Sequence, residues 1–307
     1  MRFSDLTAGY EFPAAPLALD AATVAVYLAA VEDDADVYWR GDTLLYAPPL
    51  AAAALAFQGI ARGLALDPGS LHTGQELAFR RPVRVGERLT AQARVAMASK
   101  RRGFTALILD TVATDDMAEE ALTGRMTLMV SGSGQGGLAE AGSAGGRAPE
   151  VPAADAAPIE HVAYPPLEPS SIVAGLALPE LTRTVTQGRI DAYALASGDH
   201  NPIHLDPDFA ARTPFGGTIA HGMLLLAYVS TALTHAFGRA WLDMGTLKAR
   251  FRNPAPAGTV VTARGMIERV EESDGARPAR AVCAVRLDDA AGEALITGEA
   301  RVDITIR

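Results

Sequence analysis

FRRPVRVG at residues 79–86 and FRNPAPAG at residues 251–258 share one spacing, Phe-Arg-x-Pro-x-x-x-Gly, and that repeat decides how the chain divides. The first sits in GQELAFRRPVRVGERLTAQARV, the second in GTLKARFRNPAPAGTVVTARGM. Alternating apolar and polar residues on either side read as strands, and the Pro-to-Gly stretch as the turn between them. Each copy then runs into another alternating strand, a turn rich in Gly or Asp, and a last strand opening on Thr-Gly, at Thr123–Gly124 and Thr297–Gly298. Two copies of one unit account for a chain of 307 residues, too long for one ordinary small domain.

Upstream of its strands each half carries one long helical stretch that is apolar nearly all round, from about Pro49 to Leu66 and from about His221 to Phe237. Such a helix must be covered on most sides, and antiparallel strands wrapped about it would do this. The expected class is therefore α+β, a double hotdog: two tandem hotdog units, each a central helix wrapped by an antiparallel sheet. The two sheets would pair edge to edge or face the same way, covering edges that otherwise invite aggregation. The expected boundaries are a first unit over 1–130, a linker over 131–169 and a second unit over 170–307. The linker is Gly-, Ala- and Pro-rich and cannot bury enough apolar surface to order itself. Its Gly132, Gly134 and Gly137 have GxGxxG spacing, but the helix that a phosphate loop must open does not follow.

Hydrophobic residues are 49% of the chain and charged ones 21%, the balance of a folded protein. A formal net charge of -9 argues against nucleic acid, which requires a clustered surplus of Lys and Arg. The single cysteine, Cys283, forms no intrachain disulfide and reads as a small buried side chain. The N-terminus, MRFSDLTAGYEF, lacks the pattern of an export signal, and the apolar helix holds His221, Ser230, Thr231, Thr234 and His235, too polar for a membrane span. The expectation is a cytoplasmic protein without a nucleic-acid or membrane partner.

The densest cluster of reactive side chains is Ser197-Gly-Asp-His-Asn-Pro-Ile-His204, after the helical run IDAYALA. Gly198 and Pro202 stop that helix, so Asp199 and His204 can turn inward together from a bent segment. A His beside a carboxylate suits proton exchange near neutral pH.

ASGDHNPIHLDPDFA, followed after a gap by IAHGML, resembles the hydratase motif of the MaoC-like family, which includes (R)-specific enoyl-CoA hydratases; the match covers roughly residues 183–307. The resemblance implies a hydro-lyase that adds water to a 2-enoyl thioester, or removes it from an (R)-3-hydroxyacyl thioester. It implies Asp199 and His204 as the pair that handles water and Asn201 as support for their loop. It further implies Gly222 as a backbone N–H donor to the thioester oxygen, and Ser230 as a helix residue orienting the pair. Which of Asp199 and His204 is the base stays open. No cofactor is expected beyond the coenzyme A or acyl-carrier protein that bears the substrate, and for its phosphates Arg80, Lys248, Arg250 and Arg252 are candidates. The assembly would be a monomeric pseudo-dimer or a homodimer.

His200 and His204 stand four apart, as in helical zinc pairs, but Pro202 interrupts the helix that would align them, so no metal is expected. His221 reads as structural. Aligning VYLAAVEDDADVYWRGD on AYALASGDHNPIHLDPD sets Asp33 at the Asp199 position but Tyr38 at that of His204 and Ala35 at that of Asn201. Tyr46 to Leu50 stand where Ile, Ala, His and Gly would be, so the first unit reads as degenerate and free to shape an acyl pocket. The small side chains of APPLAAAALAF would leave room for a chain, although Ala is also simply the best helix former. A hotdog thioesterase is the alternative enzyme, disfavoured because no Asp or Glu lies between Ile219 and Phe237. A non-catalytic acyl-thioester-binding subunit is the other alternative.

Overall fold

The computed structural model describes residues 3–17, 19–61, 70–101, 104–131, 160–273 and 278–304. The first half runs β1 (Ala15–Leu17), α1 (Ala21–Val31), the short hairpin β2 (Trp39–Arg40) and β3 (Thr43–Leu44), and α2 (Pro49–Ala61). It closes with β4 (Leu71–Phe79), β5 (Leu89–Arg101), β6 (Phe104–Asp115) and β7 (Glu120–Ser131). The second half opens with β8 (Leu181–Val185), α3 (Gln187–Ser197), α4 (Pro202–Leu205) and α5 (Pro207–Ala211). It continues through α6 (Gly222–Phe237) and α7 (Arg239–Met244) to β9 (Thr246–Phe251), β10 (Thr259–Glu271), β11 (Ala279–Asp289) and β12 (Ala294–Ile304).

Strand alternation places Leu, Val and Ala of each strand on the face that meets the helices, and the strands join into one ten-stranded sheet in the order β1-β5-β6-β7-β4-β9-β12-β11-β10-β8. The order reads as two matching five-strand blocks meeting at β4 and β9. These pair antiparallel from Gly74 with Arg250 to Ala78 with Thr246, so of the two expected arrangements the edge-to-edge one is found. The outermost strands, β1 and β8, are short, which limits the unpaired edge. From Leu224 to Phe237 every residue of α6 is buried, as a helix apolar all round requires. Among the described residues no helix is long and apolar enough to cross a membrane.

The internal repeat holds at the level of single bridges. Tyr46 pairs with Arg84 in the first half and Ile219 with Pro256 in the second, each reaching the sixth residue of the Phe-Arg-x-Pro motif. Tyr27 and Tyr193, each six residues before its half's aspartate, meet edge to face with ring centroids 6.0 Å apart where α1 packs on α3, which puts this pair on the pseudo-twofold axis.

The expected linker is shorter than its sequence suggests. Residues 132–159, with the GxGxxG glycines, lie outside the described residues, but residues 160–169 are packed. Val162 donates to Asp34 and accepts from Asp36, Tyr164 stacks on His235 at 3.5 Å, and Leu167 donates to the Ala236 carbonyl. These contacts lay the segment across both halves.

The two Thr-Gly pairs have a packing reason. A Cβ on Gly298 would fall 2.4 Å from the Lys248 carbonyl oxygen, while one on Gly124 would fall 2.7 Å from the Thr111 hydroxyl. The first obstacle is backbone, the second a side chain able to turn away. Gly298→Ala is therefore expected to destabilise the fold by about 1–3 kcal/mol and Gly124→Ala by less, measured by urea unfolding.

Candidate active site

The loop between α3 and α6 is built by short-range bonds. Thr186 caps the start of α3 by accepting from the Arg189 N–H, and Gly198 ends it in the left-handed region at φ 71°. A side chain at Gly198 would be strained by that backbone conformation and would displace the Gln58 amide of α2, which packs against it. Pro202 does not stop a helix, as the sequence suggested, but starts one: it occupies the first turn of α4, where its missing N–H costs nothing. Asn201 caps that turn, its side-chain oxygen accepting from the Ile203 N–H at 3.3 Å. Gln187 then braces the loop, donating to the His204 carbonyl at 2.9 Å and accepting from the Thr218 hydroxyl at 2.6 Å.

These bonds turn Asp199 and His204 toward one cavity of about 300 Å³, which Asn201 and Gly222 also line. The Asp199 carboxylate accepts from the Asn201 N–H at 3.2 Å. His204 is buried, and its Nδ1 lies 2.8 Å from the Ile219 carbonyl oxygen. A carbonyl can only accept, so Nδ1 carries the proton and Nε2 keeps its lone pair. Burial pushes the His204 imidazole below its ordinary value although Asp199 pulls the other way, so the ring is neutral near pH 7. Burial pushes the Asp199 carboxyl up, but the neighbouring His221 and His204 rings and the Asn201 N–H outweigh it and hold it below its usual value. Gly222 is the first residue of α6, where a backbone N–H has no partner within the helix and the helix dipole is positive. A Cβ there would come within 3.1 Å of the Phe251 ring, so glycine also lets α6 approach the sheet.

The first half completes the cavity. Ala54 and Phe57 of α2, Leu71 and His72 of β4, and Met126 and Leu128 of β7 line it. The His72 ring lies 4.8 Å from that of Phe251, across the seam between halves, and its Nε2 is 3.0 Å from the Gly74 carbonyl. Nothing in the sequence around His72 pointed to the site, because only the β4–β9 pairing brings it there.

Four expected residues lie elsewhere. Ser230 does not line the cavity; its hydroxyl is buried and accepts from the Trp241 indole N–H at 3.0 Å, which anchors α7 to α6. Lys248 and Arg250 alternate along β9 with buried Leu247 and Ala249, so they project from the opposite face of the sheet. There Lys248 pairs with Glu76 at 2.9 Å. Arg80 pairs with Glu120 at 3.5 Å, both about half exposed. Only Arg252 of the four proposed cations lines the cavity, with its Nε donating to Thr297 at 2.9 Å.

A carboxylate oxygen of Asp199 and one nitrogen each of His204 and His221 lie within 4.8 Å of one another. The two imidazoles, however, are 3.8 Å apart between centroids and tilted by 31°, so they meet face to face. A cation about 2.0–2.1 Å from both nitrogens needs their lone pairs to converge, which such rings do not do. The cluster suits proton exchange better than metal binding.

Residues 175–285 match the model of the MaoC like domain, and residues 7–122 match that of the FAS1-like dehydratase domain region. An (R)-specific enoyl-CoA hydratase of Aeromonas caviae is 34% identical over 125 residues, covering 40% of this chain and 90% of that relative. The chain belongs to the MaoC-like family. A 3-hydroxyacyl-thioester dehydratase Z of Mycobacterium tuberculosis is 38% identical over 93 residues, 29% of this chain, and the match spans 62% of that relative's length. A Mycobacterium tuberculosis protein described as a double hotdog superposes with a TM-score of 0.68 at 15% identity, covering 98% of this chain and 97% of its own. That likeness fixes the fold, a double hotdog.

In the first unit the corresponding place is sealed. Asp33 is 3% exposed, and one carboxylate oxygen accepts from Tyr38 and from Thr231 of α6, both at 2.9 Å. Tyr38 thus stands where His204 stands, as the alignment anticipated. Glu32 takes the place of Gly198 and holds the same left-handed conformation at φ 50°; ion pairs to Arg183, at 3.2 Å, and to Arg189 fix its side chain. Burial raises the Asp33 carboxyl from 3.8 to about 6 against the hydrogen bonds from Tyr38, Thr231 and the Ala35 N–H. The unfolded chain ionises first, so the stability Asp33 contributes is full below about pH 4 and is lost as pH rises through 6. The loss is roughly 3 kcal/mol at neutral pH. Asp33→Asn lacks this slope, so its melting temperature relative to the parent is expected to rise between pH 4 and pH 7 in thermal unfolding; a constant difference would contradict it.

Proposed function

We propose that this protein is a hydro-lyase that hydrates 2-enoyl thioesters or dehydrates 3-hydroxyacyl thioesters of R configuration. The observation that carries this reading is the meeting of Asp199 and the bare Nε2 of His204 on one cavity wall, beside the N-terminal amides of α6. The names of the relatives, hydratases and dehydratases of acyl thioesters, support the same chemistry.

In the hydration direction a water molecule sits between the two side chains. The Asp199 carboxylate accepts one of its protons as a hydrogen bond, and His204 Nε2 removes the other as the oxygen attacks the β-carbon. The electron pair of the double bond moves onto the thioester oxygen, where the Gly222 N–H meets the developing charge; one such donor is worth about 3–4 kcal/mol. The His204 imidazolium then delivers its proton to the α-carbon on the same face, which restores the pair. Dehydration is the reverse. The balance closes with water alone, so the reaction calls for no cofactor. The first unit serves as the far wall of the acyl pocket. Arg252, exposed and part of the cavity lining, is our candidate for meeting the carrier, coenzyme A or the prosthetic arm of an acyl-carrier protein. A thioesterase is disfavoured because neither α2 nor α6 carries an Asp or Glu to aim at the carbonyl carbon.

His204→Ala and Asp199→Asn are each expected to lower kcat about 10²–10⁴-fold on trans-2-enoyl-CoA substrates from crotonyl-CoA upward, followed by loss of the conjugated absorbance. Because burial lowers the His204 value, kcat/KM should stay level as pH falls from 8 past 6.5 and drop only below it. Turnover of no enoyl thioester, full activity in His204→Ala, or an acid limb centred at pH 7 or above would overturn the reading.

A further inference from the structure

His221 is buried at 1% exposure, does not line the cavity, and has no part in the steps above. Yet it touches every component of them. Its Nε2 lies 2.9 Å from the backbone carbonyl oxygen of Asp199, and that oxygen can only accept, so Nε2 carries the proton. The face of its ring lies against the His204 imidazole at 3.8 Å, with Tyr193 at 5.1 Å. Along the chain it is the residue before Gly222, at the start of α6, although its side chain caps no N–H there. Its Nδ1, also buried, has no hydrogen-bond partner. A single ring thus joins the aspartate loop, the histidine and the helix end that carries the oxyanion donor.

The other half of the chain supplies the comparison. The matched bridges Tyr46–Arg84 and Ile219–Pro256 align Pro48 with His221 and Pro49 with Gly222. In the unit where Tyr38 replaces the histidine base, the ring donor and the free helix N–H are both missing, since proline supplies neither. The fold itself stands without them: α2 starts at Pro49 and packs on β1 and β5. A ring needed only for the fold would be needed in both units.

We propose that His221, as the neutral Nε2–H tautomer, is a positioning residue for the Asp199 and His204 pair, tethering Asp199 through its backbone and backing the His204 ring. This rests on the function proposed above for that pair. A neutral His221 is what the arrangement demands, because a charged ring stacked on His204 would oppose the imidazolium formed during turnover. Burial, then the His204 ring, push His221 down to about 4; Asp199 pulls it up and His200 adds a smaller downward push.

Two variants separate the parts. His221→Phe keeps a flat ring behind His204 but removes the donor; His221→Gln restores an N–H at the reach of Nε2 without the ring. Loss of a residue that orients a reacting group costs about 10–100-fold, and His221→Phe is expected to lower kcat by that factor with KM within about threefold of the parent. His221→Gln should recover at least half of that loss on a logarithmic scale, at a melting temperature no higher than that of His221→Phe. Unchanged kcat in His221→Phe, or equal losses in both variants, would overturn the proposal. A second readout needs no turnover: long-range ¹⁵N–¹H correlation of the imidazole rings in the parent protein at pH 7 should show His221 as Nε2–H and His204 as Nδ1–H. An Nδ1–H or doubly protonated His221 would overturn the proposal. Inactivity of the parent on every enoyl thioester, with those tautomers intact, would instead sink the proposed function and leave the tether standing.

Discussion

The antiparallel pairing of β4 with β9 is the contact on which the rest depends. Each five-strand block wrapped round its helix would leave one long edge of unpaired N–H and C=O groups, and the seam satisfies both edges at once. It also sets geometry. Because Gly74 lies opposite Arg250, His72 comes to rest on Phe251, and the walls supplied by α2, β4 and β7 stand opposite a loop that arrives about 70 residues or more later in the chain. The cavity belongs to the seam as much as to either half.

About that seam the two copies have gone separate ways at equivalent positions. Asp199 faces a cavity and Asp33 faces Tyr38 and Thr231; Gly198 leaves space for Gln58, while Glu32 accepts a left-handed backbone and ties its side chain to two arginines. The buried carboxylate of the first copy costs stability at neutral pH. The sealed hydrogen bonds around it recover part of that cost and fix how α1 and α6 meet.

Much of this was legible in the sequence, for reasons that differ by residue. The Phe-Arg-x-Pro-x-x-x-Gly repeat carries its turn chemistry locally, so the two units and their strands could be read directly. Asp199, Asn201 and His204 lie within six residues of each other, and their geometry is set by caps and a proline in the same segment. His72 and Gln58 were invisible because long-range pairing alone brings them to the loop. Ser230 was misassigned because its partner, the indole of Trp241, sits eleven residues on in a helix that periodicity did not reveal. Lys248 and Arg250 could have been excluded by strand parity, since Leu247 and Ala249, which alternate with them, must face the helices. The packed segment 160–169 was missed because its contacts are mostly backbone bonds and ring stacking, which leave no hydrophobic pattern.

Joining both halves in one polypeptide has a consequence for how the pocket can change. In a symmetric pair of identical subunits, any new side chain appears twice, once beside each reaction centre and once behind the other. Here Phe57, Met126 and Leu128 exist in a single setting, so the breadth and depth of the chamber can drift by one substitution at a time while the reactive loop stays as it is.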